Sequence, residues 1–178
     1  MNTLQRLAST TLFGLTLLTG ACGHDTSVPG PGTPPPPNKC GSCTAYELCL
    51  TDGTCGINPS STWFLAVDSA VIASTKSTGA AWDALGGAPD PFVILDTRQT
   101  TTKQDTFTPS WQEGATFTAA TLTGTGVSIA VYDEDVASND LIGGPSTLRL
   151  TESDLRRGSL TISKLGQVDS ISFLVSPR

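Results

Sequence analysis

From Ser61 to the C-terminus, β-branched and aromatic residues recur in short runs separated by Gly, Pro, Asp and Asn. This texture constrains the fold more than any other feature, because such runs suit a pleated, half-buried surface. The expected strands are Trp63–Ile72, Pro91–Thr97, Ala115–Ala120, Val127–Tyr132, Thr147–Leu150, Ser159–Lys164 and Ser170–Ser176. Several alternate: Val127, Ile129 and Val131 fall on one face, Ser128, Ala130 and Tyr132 on the other. A short helix is expected at Thr151–Arg157, where Thr151 and Asp154 form a capping-box pattern and Gly158 closes the far end. Many short strands spaced through 118 residues (61–178) point to an antiparallel β-sandwich. No repeat, phosphate loop or dinucleotide fingerprint is visible.

The 178 residues, with 18 Gly and 12 Pro, suit one modest globular domain plus irregular segments. The net charge is −6, from 16 acidic and 10 basic residues. An acidic chain without a Lys/Arg run is a poor partner for nucleic acid, whose binding depends on neutralising phosphates. Nucleic acid is therefore set aside.

The N-terminus reads as an export address. Arg6 is the only charge before the apolar run Leu7–Leu18, which ends in Thr19-Gly20-Ala21-Cys22. This is a secretory signal over residues 1–21, too short for a spanning helix. The Gly-Ala-Cys ending resembles a lipobox, with Thr19 where Leu is usual. That resemblance implies diacylation of Cys22 as the mature N-terminus and attachment to a bacterial cell-envelope membrane. Gly23 rather than Asp after the lipid cysteine points to the outer membrane or periplasmic face, by analogy with bacterial sorting. Cleavage removes one Arg and no acid, leaving the mature chain at −7.

Residues 22–39 comprise the lipidated Cys and a linker rich in Pro and Gly, with too few apolar groups to fold. At about 3.1 Å per residue in polyproline II, this tether reaches roughly 40–50 Å. The only histidine, His24, lies here, which argues against a catalytic role for it.

Residues 40–58 carry Cys40, Cys43, Cys49 and Cys55, spaced C-x2-C-x5-C-x5-C. Zinc sites usually present two close pairs, and only the first pair here is close. Two disulfides in an oxidising compartment are the better account of so small a knot. Three pairings are open, and Cys40–Cys49 with Cys43–Cys55 is the one expected. Thr51-Asp52-Gly53-Thr54 reads as a turn, and the knot as a spacer.

Two loops of the β-rich region concentrate acid: W-D-A-L-G-G-A-P-D-P-F-V, with Asp83 and Asp90, and V-Y-D-E-D-V-A-S-N-D-L-I-G, with Asp133, Asp135 and Asp140. Period-2 geometry puts Asp133 and Asp135 on one side of the chain and Glu134 on the other. Adjacent carboxylates repel by roughly 1 kcal/mol per pair at about 4 Å in water and more in a drier loop. Hard divalent cations relieve such clusters, and calcium accepts about six to eight oxygen ligands.

The first loop resembles the D-x-x-G-x-x-D-P-Y-V signature of the C2 domain family through Asp83, Gly86, Asp90, Pro91, Phe92 and Val93. The second resembles that family's D-x-D…N-D-x-I-G loop through Asp133, Asp135, Asn139, Asp140, Ile142 and Gly143. Thr108-Pro109-Ser110-Trp111-Gln112-Glu113 is similar to its T-x-P-x-W-N-E turn. Two spacings depart from the pattern: Asp83 to Asp90 is one residue longer than usual, and Asp135 to Asp140 one shorter than in many relatives. The resemblance implies an eight-stranded antiparallel β-sandwich in the family's circularly permuted topology. It implies that Asp83, Asp90, Asp133, Asp135 and Asp140 ligate about two calcium ions (Ca2+), with Ser138 as an accessory ligand. Leu85 and Val136 would be apolar loop tips that enter a bilayer. Trp63, Trp82 and Trp111 are expected in or near the core.

The leading expectation is a calcium-binding module on a lipid-anchored envelope protein. Its partner would be phospholipid, or an envelope protein or glycan, held through calcium-loaded loops. A structural or adhesion sandwich without calcium-dependent binding is the alternative. No enzyme is expected: paired carboxylates can serve a glycosidase, but a small sandwich with solvent-facing loops offers little cleft. The sole histidine, in the tether, also leaves no Ser/His or Cys/His pair.

Overall fold

The computed structural model describes residues 40–83 and 86–178. The signal, the Cys22 anchor, the tether and the apolar tip expected at Leu85 lie outside the described residues.

Ten strands follow in order: β1 (Glu47–Cys49), β2 (Cys55–Ile57), β3 (Thr62–Ile72), β4 (Pro91–Leu95), β5 (Arg98–Gln99), β6 (Ser110–Thr118), β7 (Val127–Asp133), β8 (Asp140–Leu148), β9 (Ser159–Leu165) and β10 (Val168–Pro177). Helix α1 (Glu152–Arg157) lies between β8 and β9. Strands β3–β10 make two four-stranded sheets, ordered β6-β3-β10-β9 and β5-β4-β7-β8. Neighbouring strands are antiparallel throughout. The architecture is the eight-stranded antiparallel sandwich expected.

Period-2 alternation builds its core. Trp63, Leu65 and Val67 of β3 and Ile171, Phe173 and Val175 of β10 pack in one buried cluster with Val93, Leu95, Val127, Ile129 and Val131 of the other sheet. Each removes roughly 1.5–3 kcal/mol worth of apolar surface from water. All three tryptophans are buried, as expected. At α1, the Asp154 backbone N–H donates to Thr151 Oγ1 at 3.2 Å, and the Thr151 backbone N–H donates to Asp154 Oδ2 at 2.8 Å. Gly158 ends the helix at φ 77°, a left-handed conformation that glycine adopts without a Cβ penalty.

Three strands depart from the sequence expectation. The strand expected at Thr147–Leu150 is the far end of β8, which begins at Asp140. Gly143-Gly144-Pro145 reads as a turn, yet β8 is an edge strand, where proline costs no ladder bond that matters. Gly143 is there for close approach: a Cβ would come within 2.1 Å of the Leu165 carbonyl oxygen. The strand expected at Ala115–Ala120 starts earlier, at Ser110, and stops at Thr118. Residues Thr121–Thr125 then form a π-helical turn that buries Leu122. The two-residue β5 is too short to leave a periodic signal.

The cysteine-rich segment is a hairpin of β1 and β2, closed by Cys40–Cys49 and Cys43–Cys55. This is the expected pairing, and it leaves no thiolate for zinc. The hairpin is more than a spacer, because it is stitched to the sandwich. Ile57 joins the main core, and the Tyr46 ring meets Trp63 edge-on at 5.1 Å. Arg156 of α1 pairs with the Glu47 carboxylate and donates to the Cys55 carbonyl at 2.8 Å. The hairpin sits where β3 begins. The first acidic loop starts where β3 ends, roughly 30 Å away at about 3.3 Å per residue.

Trp63 therefore serves both the core and the hairpin. Trp63→Ala should lower the unfolding free energy by about 3–5 kcal/mol. Tyr46→Ala, at a half-buried ring, should cost about 1–2 kcal/mol. Urea denaturation followed by fluorescence and circular dichroism checks both, with the m-value unchanged if the contacts act on the folded state.

Candidate metal centre

The acidic pole is organised by the pairing of β4 with β7. Its register sets Pro91 opposite Asp133, so the residue that ends the first acidic loop lies beside the start of the second. Two short bonds close the junction. The Asp90 backbone N–H donates to Asp133 Oδ1 at 2.6 Å, and the Glu134 N–H donates to the Asp90 carbonyl at 3.0 Å.

Local features aim each side chain. Trp82 is buried, with its indole N–H donating to the Ala73 carbonyl at 2.8 Å. This pins the residue just before Asp83. Gly87 runs against Asp83, and a Cβ there would come within 3.0 Å of the Asp83 Cβ. In the second loop, the Asp135 N–H donates to the Asn139 side-chain oxygen at 3.2 Å. Glu134 is exposed, Asp133 buried and Asp135 half-buried, the alternation expected.

Asp83, Asp133 and Asp135 converge, each offering a carboxylate oxygen within 4.8 Å of the others. Asp133 is fully buried. Its Oδ2 is a buried oxygen with no hydrogen-bond partner among the described residues. Burial pushes its carboxyl from 3.8 up to about 6, the Asp90 N–H opposing and the charges of Asp83, Asp135 and Asp90 adding to the rise. Asp83 is raised as well, chiefly by desolvation and then by Asp90, Asp135 and Asp105. An orphaned buried oxygen on a carboxylate that converges with two others is what a hard divalent cation relieves, so the residues present fit calcium.

The other two acids accept bonds of their own, and Asp90 stays close enough for its charge to raise Asp83 and Asp133. Asp90 Oδ1 accepts from the Asp105 N–H at 2.6 Å. Asp140 pairs with the Lys76 ammonium, whose hold on its proton is strengthened chiefly by that hydrogen bond. Ser138 is exposed, without a side-chain hydrogen bond among the described residues. Val136 is fully exposed, at 110% of its reference area, and does not fold back onto the core.

Two residues at this pole escaped the sequence reading. Asp105, at φ 49°, also accepts from the Ala88 N–H at 3.1 Å and so ties a third loop to the first. Lys76 stands in the connection between β3 and Asp83. No spacing rule marks either.

A two-sheet antiparallel sandwich with convergent carboxylates in the loops at one pole defines the class of module. A model of the C2 domain family matches residues 71–163, over half of the chain, and the protein belongs to that family. C2 domains are membrane- and lipid-binding modules that often bind calcium. No curated protein sequence gives a significant match.

Among solved structures, the chain is similar to the calcium-bound pair of C2 domains, A and B, of extended synaptotagmin 2. The identity is 17% over 67% of this chain and 46% of that one, with a TM-score of 0.47. It is also similar to C2 domain A of plant extended synaptotagmin 1, at 22% identity over 68% of this chain and 98% of that one, TM-score 0.45. Human GIVD cytosolic phospholipase A2, in complex with methyl gamma-linolenyl fluorophosphonate and terbium chloride, matches at 21% identity over 66% of this chain and 17% of that one, TM-score 0.45. The chain thus spans under half of the extended synaptotagmin 2 fragment.

The raised Asp133 carboxyl has a signed consequence for the metal-free protein. An acid that ionises less readily when folded lends stability that is whole below about pH 4. That stability is lost as the pH rises through about 6. Asp133→Asn keeps an acceptor for the Asp90 N–H and removes the charge. In a calcium chelator at pH 7.5 it should be more stable than wild type by on the order of 1–2 kcal/mol. The difference should vanish towards pH 4, read as thermal midpoints across pH.

Proposed function

We propose that this protein is a calcium-binding C2 module of a lipid-anchored envelope protein, and that it binds phospholipid through its calcium-loaded loops. The observation that carries the reading is the unpartnered Asp133 Oδ2, buried beside Asp83 and Asp135. Those three residues would hold the ion. Calcium supplies positive charge with coordination positions left for a phosphate oxygen. The chain's own part is to keep the carboxylates converged, through the Asp90–Asp133 bond and the buried Trp82, before any ion arrives.

Lipid is favoured over a protein or glycan partner by Val136. It leaves an apolar side chain fully exposed one residue beyond Asp135, where it can enter a bilayer as the carboxylates are neutralised. The net charge of −6 makes electrostatic attraction to anionic lipid without calcium unfavourable. The acidic pole lies at the opposite end of β3 from the disulfide hairpin. The anchor itself rests on the sequence of residues 1–22. We read the protein as a binding module and not as an enzyme.

Calcium should raise the thermal midpoint of the wild-type protein by several degrees once its concentration is about tenfold above Kd, equivalent to about 1.4 kcal/mol. Sites in extracellular modules lie around 10⁻⁴–10⁻³ M, so millimolar calcium is the range to scan. The double variant Asp133→Asn, Asp135→Asn should show no shift, and an unshifted wild type would sink the reading.

In liposome co-sedimentation, binding should require calcium, and Val136→Asp should weaken it at least tenfold while leaving the calcium-induced thermal shift intact. Unchanged sedimentation by Val136→Asp would argue for a partner other than lipid. Intact-mass analysis of the envelope-extracted protein should show acyl chains that Cys22→Ser removes.

A further inference from the structure

We propose that Lys76 is a tethered cation standing in for a second metal ion, so that the acidic pole binds one calcium and Asp140 is reserved for the lysine. This rests on the calcium reading above and adds its stoichiometry. The resemblance in sequence implied about two ions shared among five aspartates, and the partners of the side chains favour one. Asp83, Asp133 and Asp135 share one point in space, whereas Asp140 is paired with the Lys76 ammonium. Asp90 has one oxygen committed to the Asp105 N–H. A second ion would have to take Asp140 from a partner already bound to it.

Lys76 is held for that role from three sides. Its backbone N–H donates to the Ala80 carbonyl at 2.8 Å, and its carbonyl accepts from the Gly79 N–H at 2.9 Å. Gly79 sits at φ 83°, a conformation glycine supplies at least cost. The ammonium lies 5.7 Å from the centroid of Trp82, within cation–π range of a ring that is itself buried. The field of Lys76 also reaches Asp133 and Asp135, so it offsets part of their mutual repulsion while no metal is bound.

The Lys76 ammonium is held beside Asp140 by its own turn and by the buried Trp82 ring, so an ion that took Asp140 would first have to displace it. It has no hydrogen bond to the carboxylates of Asp83, Asp133 and Asp135 among the described residues, so an ion held by those three meets no such rival.

The test is equilibrium dialysis of the full chain against calcium alone, with metal counted by elemental analysis, for wild type, Lys76→Arg, Lys76→Gln and Asp140→Asn. Wild type and Lys76→Arg should bind one calcium, and Lys76→Gln should bind two. Asp140→Asn should still bind one, with Kd within about threefold of wild type. Two ions on the wild type, one on a folded Lys76→Gln, or loss of binding by Asp140→Asn would each overturn the assignment while leaving calcium binding itself standing. Failure of every variant to bind calcium would instead remove the underlying reading. Should Lys76→Gln not fold, the wild-type count and the Asp140→Asn result decide.

Discussion

The acidic pole depends on the ladder between β4 and β7. Its register sets Pro91 opposite Asp133, and the Asp90 N–H then meets Asp133 Oδ1. That bond satisfies one oxygen of a carboxylate that the sandwich has buried completely. The other oxygen is buried without a hydrogen-bond partner among the described residues, on a carboxylate that converges with Asp83 and Asp135. A slip of one residue would turn Asp133 outwards, along with the core residues Val131 and Ile129. The burial of those valine and isoleucine side chains is thus what forces the carboxylate into its position.

The surrounding structure ties down the loops that carry these charges. Asp105 ties a third loop to the first, Asn139 closes the second, and Lys76 answers Asp140. Each supplies a donor or acceptor where like charges would otherwise drive the loops apart. The far pole shows the opposite chemistry. There Tyr46, Ile57 and Trp63 join the disulfide hairpin to the core by apolar contact, and Arg156 adds its ion pair with Glu47. One end is joined mainly by apolar contact and disulfides, and the other gathers three carboxylates.

Much of the sandwich was legible along the chain because its signals are local. Alternation at Val127–Val131, the capping box at Thr151 and Asp154, and the cysteine spacing each involve neighbours a few residues apart. The extent of β8 was not legible because Gly143-Gly144-Pro145 carries turn chemistry, and only the nearness of Leu165 shows why glycine is needed in a strand. β5 and the start of β6 gave no signal for want of length and of alternation.

By itself the sequence determined an all-β domain, a cysteine-rich segment held by two disulfides with three pairings open, and two acidic loops resembling those of the C2 family. These follow from period, turn chemistry and motif spacing, which are properties of short stretches. Only the tertiary structure decided which acids meet. Asp83, Asp133 and Asp135 converge, while Asp140 is drawn to Lys76, some sixty residues earlier in the chain. Spacing within a loop says which side of the chain a carboxylate leaves from. The cation or backbone amide it finds there belongs to another strand's end, and folding alone brings it near.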